Sequence, residues 1–404
     1  MFKSFLYKIL ESRHFWRYAS FSEIAELYMS RTIRIIAMSI VSGFTSVYMY
    51  EAGYSLAFIM GFFLFYYLLK IPLSFFAGRF VARFGPKHGI LISNLLYVPS
   101  MIALGLMPII GIPSIILWGI FMAISASIYQ ISYTVDFSKV KNTKHAGKEL
   151  AIMNILEKIA IGLSPIIGGI IALFFGLQIV IWLSAVLFII SALPLLRSIE
   201  PVRLRQKITF EGFPWMATIR TIIAQTGVGF DYVTTGVTWP LFILIVIFPN
   251  SGWEIYVELG ALSSVTILAA IGASYAYGKL IDNSKGGNLL KISVIANALV
   301  HISRPFAVVP ASIVVTNVTN EVATMGYNMA FTRGMFDTAD LSGHRILYLC
   351  ICEAIANFGA AIACGVLLIC TATLGSVDGL RIFFFVAAGF VLLIGSANFN
   401  IYRK

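Results

Sequence analysis

The stretch Leu177-Gln-Ile-Val-Ile-Trp-Leu-Ser-Ala-Val-Leu-Phe-Ile-Ile-Ser-Ala-Leu-Pro-Leu-Leu196 decides the class of protein, because it contains no charged side chain. About 20 apolar residues are what an α-helix needs to cross a bilayer, and similar stretches recur along the whole chain. Of the 404 residues, 59% are hydrophobic and 12% are charged, and the mean hydropathy is +0.89. Soluble domains carry about 25% charged residues, so this composition excludes a soluble globule. It also excludes a disordered chain.

We predict an all-α, polytopic membrane protein with twelve transmembrane helices in two six-helix bundles. The spans are expected at 32–50, 55–77, 88–110, 113–136, 149–174, 178–196, 222–248, 255–278, 288–309, 311–333, 346–370 and 380–400.

The longest polar interruption falls near the middle of the chain. It predicts a cytoplasmic linker at 197–221 between an N-terminal bundle at 32–196 and a C-terminal bundle at 222–404. Residues 1–31 place apolar side chains at helical spacing between basic ones, which is typical of an amphipathic leader on the inner membrane surface. A solvated leader without membrane contact is the alternative.

The charges are distributed unevenly between the two sides of these spans. Most of the 29 Lys and Arg residues fall on alternate connections and on both termini, and the formal net charge is +11. This pattern obeys the positive-inside rule and predicts a plasma-membrane protein with both termini in the cytoplasm. The basic excess therefore indicates contact with membrane lipids, and we expect no nucleic-acid partner.

Two loops mark the same position in the two halves. Gly78-Arg79-Phe80-Val81-Ala82-Arg83-Phe84-Gly85-Pro86-Lys87 follows the second span, and Gly278-Lys279-Leu280-Ile281-Asp282-Asn283 follows the eighth. A parallel repeat of six spans with a central linker is the architecture of one large group of secondary carriers.

With this loop the chain resembles the major facilitator superfamily, whose signature is Gly, three residues, Asp, Arg, any residue, Gly and then basic residues. The first copy has Ala82 in place of the Asp, and the second lacks the Arg-x-Gly end. The matching residues are Gly78, Arg83, Gly85 and Lys87 in the first copy and Gly278 and Asp282 in the second. The resemblance implies that these residues form a hinge lock between the halves on the cytoplasmic side.

The fifth span contains Gly162-Leu163-Ser164-Pro165-Ile166-Ile167-Gly168-Gly169, which resembles the Gly-Pro-x-x-Gly-Gly motif of proton-coupled drug antiporters. Pro165 removes a backbone donor and bends the helix, and Gly168 and Gly169 allow a second helix to approach closely. Ordinary small-residue packing is the alternative. The Arg that those antiporters carry in the fourth span is absent, which keeps uptake of a metabolite open.

Polar residues concentrate on spans 1, 4, 7 and 10, and in spans 4 and 10 they recur on one helical face. The resemblance implies that these four spans line a central cavity. The candidate cavity residues are Ser42, Tyr48, Ser125, Tyr129, Ser132, Gln225, Tyr232, Thr235, Trp239, Asn317, Thr324 and Asn328. Hydrogen bonding between helices, without a substrate, is the alternative for each face.

Ionisable residues inside spans are expected to be functional. Asp231 and Glu321 are the candidates for proton coupling, although either could simply pair with a neighbouring helix. Lys70 and Glu353 are expected at similar depths in spans 2 and 11, which meet in the superfamily, so we hypothesise an ion pair that stabilises one access state. The alternative is that Lys70 extends to the interface.

Two further pairs of charged residues are expected near the membrane surfaces. His301 and Arg304 lie toward the outer end of span 9, and we favour an interfacial anchor or a partner for Glu258 over the alternative of a substrate ligand. Glu157 and Lys158 are expected near the cytoplasmic end of span 5.

We see no nucleotide-binding loop, metal-ligand spacing or nucleophile motif, so we predict no enzyme, no cofactor and no metal. The four Cys all lie in one predicted span and are expected to pack. We predict a monomeric secondary transporter that moves a small solute by alternating access and is coupled to protons or another ion. Proton-coupled efflux is the mode that we favour. An uptake symporter, or a non-transporting receptor, scaffold or lipid-handling protein on the same fold, is the alternative.

Overall fold

The computed structural model describes residues 21–42, 45–140, 146–196, 208–248, 269–283 and 285–402. Side chains of 21–27, 42, 137–140, 146–154, 165 and 310 are outside that description. Most of the leader, the start of the linker and the first part of the predicted eighth span therefore lie outside the described residues, as does Glu258.

Helices occupy the predicted spans wherever the chain is described, and no strand occurs there. We number them α1 (Phe21–Ser42, continued by Thr45–Glu51), α2 (Leu56–Phe84), α3 (Pro86–Gly105), α4 (Ile112–Val140), α5 (Ala146–Phe175), α6 (Leu177–Ala192), α7 (Trp215–Val233, continued to Ile247), α8 (269–282), α9 (Gly286–Ser303), α10 (Pro310–Leu341), α11 (Arg345–Leu374) and α12 (Ser376–Val391).

Nine helices in the described ranges are long and apolar enough to cross a membrane. They belong to an integral, multi-pass membrane protein. Helices α9 and α10 are not among the nine because polar side chains interrupt their apolar sequence, and α8 is described only from residue 269.

The helices pack as two bundles. Helices α1 to α6 contact one another and form the N-bundle, and α7 and α9 to α12 do the same in the C-bundle. The longest contact between the bundles is that of α2 with α11, and α4 with α11 and α5 with α10 add shorter ones. The polar interior described below lies where these bundles face each other.

The helix ends divide into two faces, which we name by their residues. The basic face carries Arg79, Arg83, Lys279 and Arg345, and the opposite face carries the tight turns that join α1 to α2, α3 to α4, α5 to α6 and α11 to α12. Each of these turns has a glycine with a positive φ: Gly53 (88°), Gly111 (71°), Gly176 (84°) and Gly375 (81°). Such turns force consecutive helices to run antiparallel and adjacent.

The same crossing occurs in both bundles. In the N-bundle, Gly89 of α3 lies against Ser132 of α4, and in the C-bundle, Ser293 of α9 lies against Gly326 of α10. In each case a Cβ on the glycine would overlap the serine hydroxyl, so the small residue sets the separation of the helices. This shared packing supports an internal repeat of the two halves.

Candidate functional site

A cavity of about 650 Å³ lies between the two bundles. Helices α1 to α5 contribute an N-bundle wall that is rich in aromatic residues, and α7, α10 and the end of α9 contribute a more polar wall. A volume of this size is typical of small-molecule sites. Its polar and aromatic lining residues are Thr45, Ser46, Tyr66, Tyr67, Tyr97, Trp118, Asp231, Tyr232, Thr235, Trp239, Arg304, Asn317, Asn320, Glu321, Thr324, Tyr327 and Asn328.

The structure places every predicted site residue of α10 on this cavity, and all but one of those of α7. They are Asp231, Tyr232, Thr235 and Trp239 of α7, and Asn317, Glu321, Thr324 and Asn328 of α10. The exception in α7 is Gln225, whose buried amide donates to Met335 Sδ at 3.3 Å and thereby joins α7 to α10.

The predicted residues of α1 and α4 whose side chains are described lie away from the cavity. Ser125 Oγ donates to the carbonyl of Ser93 at 2.7 Å, and Ser132 packs against Gly89. Both serines therefore join α4 to α3, as in the packing alternative. Tyr48 is half-buried against the apolar core, and the side chain of Ser42 lies outside the described part of the structure.

Asp231 is the centre of a buried hydrogen-bond network in the C-bundle. Its Oδ1 lies 2.7 Å from His301 Nε2 and accepts from Thr235 Oγ1 at 3.4 Å, and its Oδ2 accepts from the Tyr327 hydroxyl. Asp231 is 2% exposed and His301 is fully buried. A carboxylate can remain in such a place because donors from three helices surround it.

Arg304 extends this network and fixes the tautomer of His301. Arg304 Nη1 lies 3.0 Å from His301 Nδ1, and Nη2 donates to Asn320 Oδ1 at 3.0 Å. Because a guanidinium only donates, Nδ1 must be the acceptor, and the ring proton must sit on Nε2 and point to Asp231. The expectation that His301 and Arg304 anchor the membrane interface is wrong, since both are fully buried.

Trp239 connects Arg304 to α10. The guanidinium of Arg304 lies 4.9 Å from the indole centroid of Trp239, within cation–π distance. Trp239 Nε1 in turn donates to Asn317 Oδ1 at 2.7 Å. One wall of the cavity is therefore a continuous chain of polar contacts from Asp231 to Asn317.

Two widened turns shape α7 where it meets the cavity. Residues Thr234–Thr238 and Ile243–Ile247 form π-helical turns on either side of Pro240. Proline has no N–H and disturbs the regular ladder, and π turns commonly occur at functional sites. Thr235 and Trp239 lie on and beside the first of these turns and both reach the cavity.

The N-bundle contains its own buried charges on α1. Arg31 pairs with Glu157 of α5 and donates to the Tyr129 hydroxyl at 3.3 Å. Arg34 is 1% exposed, donates to Asn94 Oδ1 at 2.6 Å, and stacks 3.8 Å from the Tyr129 ring centroid. The predicted cavity residue Tyr129 therefore lies between two arginines.

Two ion pairs cross from one bundle to the other. Lys70 Nζ lies 3.3 Å from Glu353 Oε1, so the structure contains the hypothesised α2–α11 pair. Lys158 of α5 pairs with Glu321 of α10, which places Lys158 deeper than the expected interfacial position. In both pairs the lysine belongs to the N-bundle and the glutamate to the C-bundle.

The predicted hinge residues occupy helix ends and close helix contacts. Gly78 of α2 lies against Cys350 of α11, where a Cβ would overlap the thiol. Gly85 ends α2 with a φ of 91°, and Pro86 starts α3. Gly168 lies so close to α1 that a Cβ would come within 2.5 Å of the Ile40 carbonyl oxygen.

The remaining hinge candidates differ in exposure. Arg83 is exposed, with its guanidinium 5.4 Å from the Phe84 ring centroid. Asp282 is half-buried, and three are buried: Lys87, Gly169 and Gly278. The side chain of Pro165 lies outside the described side chains.

In the part of the chain that is described, no group of three or more His, Cys, Asp or Glu side chains could hold a metal ion. Cys350, Cys352 and Cys364 are buried and Cys370 is half-buried, and all four are free thiols.

Sequence reasoning missed several members of the site, among them Arg34, Asn320 and Tyr327. A usable signal was present for Arg34, the third residue of the predicted span 32–50, because an ionisable residue inside a span is functional by default. Its position at the start of that span, among other basic residues, favours the cytoplasmic side instead. Tyr327 and Asn320 carried no such signal, since polar uncharged residues also serve as packing contacts.

Comparisons with known proteins agree with this architecture. The human organic anion transporter MFSD10 (TETRAN) has 10% sequence identity and a TM-score of 0.69, with 93% of this chain and 99% of that chain covered. The E. coli fucose:proton symporter FucP has 11% identity and a TM-score of 0.64, covering 93% and 98%. The nucleoside transporter NupG has 12% identity and a TM-score of 0.67, covering 92% and 97%. At these identities the likeness shows the fold alone.

No protein of curated function matches the sequence. A sequence profile, however, matches residues 27–345, which is most of the chain and includes both loops that carry the repeat. Two helical bundles with a cavity at their interface, and this match, assign the chain to a family: it belongs to the Major Facilitator Superfamily.

Proposed function

We propose that the protein exports a small amphipathic solute by alternating access of the cavity, and that protons drive the export. The Asp231 network carries this proposal, because it holds an acid, a histidine and an arginine together on the cavity wall. The aromatic residues of the N-bundle wall offer apolar contact area for the body of a solute. Polar lining on one side and apolar lining on the other suit an amphipathic molecule.

A proton would change the network in a defined way. Protonation of His301 at Nδ1 would place a second donor against Arg304 Nη1, and protonation of Asp231 would remove the charge that His301 and Arg304 balance. In either case the interactions that hold Arg304 in its present position become weaker. Arg304 lines the cavity, so proton uptake and the shape of the solute site are coupled through this side chain.

Glu321 would supply the link to alternating access. Its carboxylate pairs with Lys158 across the bundle interface. If the bundles separate on that side, Glu321 loses its counter-ion, and a proton would be able to neutralise the carboxylate in place of the lysine. Its protonation is thus tied to the state of the interface.

The direction of transport rests on two arguments from sequence and packing. The fifth-span motif resembles that of proton-coupled antiporters, and Gly168 allows α5 to approach the α1 backbone closely. The distribution of basic residues supports a cytoplasmic position of the basic face. Uptake is the second candidate, because α4 lacks the arginine of the antiporters and Arg34 of α1 covers Tyr129 instead.

The test uses purified protein in liposomes that contain an entrapped pH-sensitive dye. Two membrane-impermeant probes share an aromatic body and differ in charge: phenylbutanesulfonate and phenylbutyltrimethylammonium. At least one probe should drive proton movement in wild-type liposomes. Asp231→Asn should abolish this response and retain probe binding, whereas Asp378→Asn, at an exposed acid of α12, should respond like wild type.

An unchanged response in Asp231→Asn contradicts the coupling site, and the absence of proton movement with both probes contradicts proton-driven transport. Everted membrane vesicles with an acidic interior decide the direction. An exporter accumulates the probe in these vesicles, whereas an uptake symporter releases it from them.

A further inference from the structure

We propose that the cavity selects solutes that carry a negative charge, with Arg34 as the residue that sets this preference. The inference deepens the proposed function and rests on it. It names carboxylates, sulfonates and phosphates attached to an apolar body as the substrate class, because these groups share charge and acceptor oxygens.

Arg34 carries a buried charge without a carboxylate partner among the described residues. Its guanidinium contacts neutral groups: the amide oxygen of Asn94 at 2.6 Å, and the rings of Tyr129 at 3.8 Å and Tyr97 at 5.3 Å. Its Nε has no acceptor in the described structure. An unpaired buried charge is costly, so a ligand that supplies the missing anion binds favourably.

The other charges around the cavity are balanced. Arg31, the nearest cation to Arg34 on α1, pairs with Glu157, and the two lysines of the bundle interface pair with Glu321 and Glu353. In the C-bundle wall, Arg304 and Asp231 offset each other through the histidine between them. The surplus positive charge of the described cavity surroundings is therefore that of Arg34.

Arg34 lies behind residues that line the cavity, with its guanidinium 5.3 Å from the ring centroid of Tyr97. Ala37 and Met38, one helical turn further along α1, line the cavity, and so does Tyr97. A buried charge raises the potential in the adjacent cavity, since protein screens it less than bulk water does. An anionic group above Tyr97 gains from that potential, and a cationic group is repelled.

Donors without acceptors provide an independent argument. Trp118 Nε1 and Arg304 Nε are on residues that line the cavity, and within the described ranges neither finds an acceptor. Indole and guanidinium nitrogens only donate. Because buried donors are normally satisfied, these two nitrogens, like Arg34 Nε, would be stabilised by acceptor oxygens of an anionic group placed next to them.

The experiment compares binding of three probes with the same aromatic body by calorimetry on the purified full chain. The probes are phenylbutanesulfonate, phenylbutanol and phenylbutyltrimethylammonium. Wild type should bind the sulfonate at least about tenfold more tightly than either of the others. Arg34→Gln should remove this preference by weakening sulfonate binding about tenfold, and Arg34→Lys should keep most of it.

Arg220→Gln is the matched control, since Arg220 is exposed at the start of α7, and it should bind all three probes as wild type does. Equal or tighter binding of the ammonium probe by wild type overturns the proposal, even if Arg34→Gln fails to fold. Sulfonate binding that is unchanged in Arg34→Gln overturns the role of Arg34.

The liposome assay separates failure of this inference from failure of the proposed function. If the ammonium probe moves protons and the sulfonate does not, proton-driven transport stands and the anion preference is wrong. If the sulfonate binds tightly through Arg34 but moves no protons, the preference stands and the coupling is wrong.

Discussion

The ion pair between Lys70 and Glu353 is expected to hold the two bundles together. The Lys70 Nζ atom lies 3.3 Å from Glu353 Oε1, and the side chains are 12% and 16% exposed, so water screens the pair little. Glu353 also accepts from Asn357 Nδ2 at 3.0 Å within α11, which orients the carboxylate toward α2. We predict that Lys70→Gln shifts the protein toward a state in which α2 and α11 separate.

The size of the shift follows from the geometry. At 3.3 Å and an effective dielectric constant of about 20, two unit charges attract by about 5 kcal/mol. Desolvation offsets much of this attraction, and coupling of close charge pairs is measured from about 1.5 kcal/mol upward. A net contribution of about 2 kcal/mol corresponds to roughly a 30-fold rise in the separated fraction.

Cys350 is a native reporter of this separation. It is fully buried against Gly78 of α2, and it is one of only 4 Cys in the chain. With the other three changed to Ala, the rate of labelling by N-ethylmaleimide measures how often α2 leaves α11. Lys70→Gln should raise this rate about 30-fold, and Lys279→Gln, an exposed lysine of the basic face, should leave it unchanged.

A charge swap decides whether the pair itself is responsible. Lys70→Glu and Glu353→Lys should each raise the labelling rate, and the double variant should restore much of the protection. A double variant that labels as fast as either single variant refutes the reasoning. So does a Lys70→Gln variant that labels like wild type.

Two further predictions concern contacts between the bundles. Gly78→Ala places a methyl group on the Cys350 thiol, which should destabilise the protein by about 1–3 kcal/mol and lower its melting temperature. Adding Cys350→Ala should restore the melting temperature. If it does not, the strain lies elsewhere. Lys158→Gln leaves Glu321 half-buried and unpaired, and should destabilise the protein by about 2 kcal/mol in thermal unfolding. Adding Glu321→Gln should recover most of that loss, whereas the control Glu211→Gln, at an exposed glutamate, should not. Effects of Lys158→Gln and Glu321→Gln that simply add would contradict the pair.

The positions of the helices could be predicted from the sequence because they depend on a local quantity. About twenty apolar residues suffice to span a bilayer, and each predicted span that is described contains a helix. The Lys70–Glu353 contact was also accessible, since the distance of each residue from a helix end sets its depth. The first inference needs only the sequence spacing, whereas the second also needs the resemblance, which implies that spans 2 and 11 meet.

Side-chain partners could not be predicted in the same way. The serines of α4 recur on one face, as in a cavity wall, yet Ser125 bonds a neighbouring backbone carbonyl. Periodicity identifies the face but does not say which helix that face meets. His301 and Arg304 lie near a helix end by sequence and are buried because α9 ends at Ser303 and Arg304 turns inward toward Asn320.

The two ion pairs between the bundles raise the question of why charges are present there at all. Apolar side chains of similar volume are often at least as stabilising as a buried ion pair, but a proton cannot release an apolar contact. Both lysines belong to the N-bundle and both glutamates to the C-bundle, so separation leaves positive charge on one side and negative charge on the other. In the mechanism proposed above, a proton would neutralise the glutamate that it binds, and an anionic solute would offset the positive side, where Arg34 already lacks a described carboxylate partner. Either ligand would then favour the opening by itself, as an exchange of protons for a solute requires.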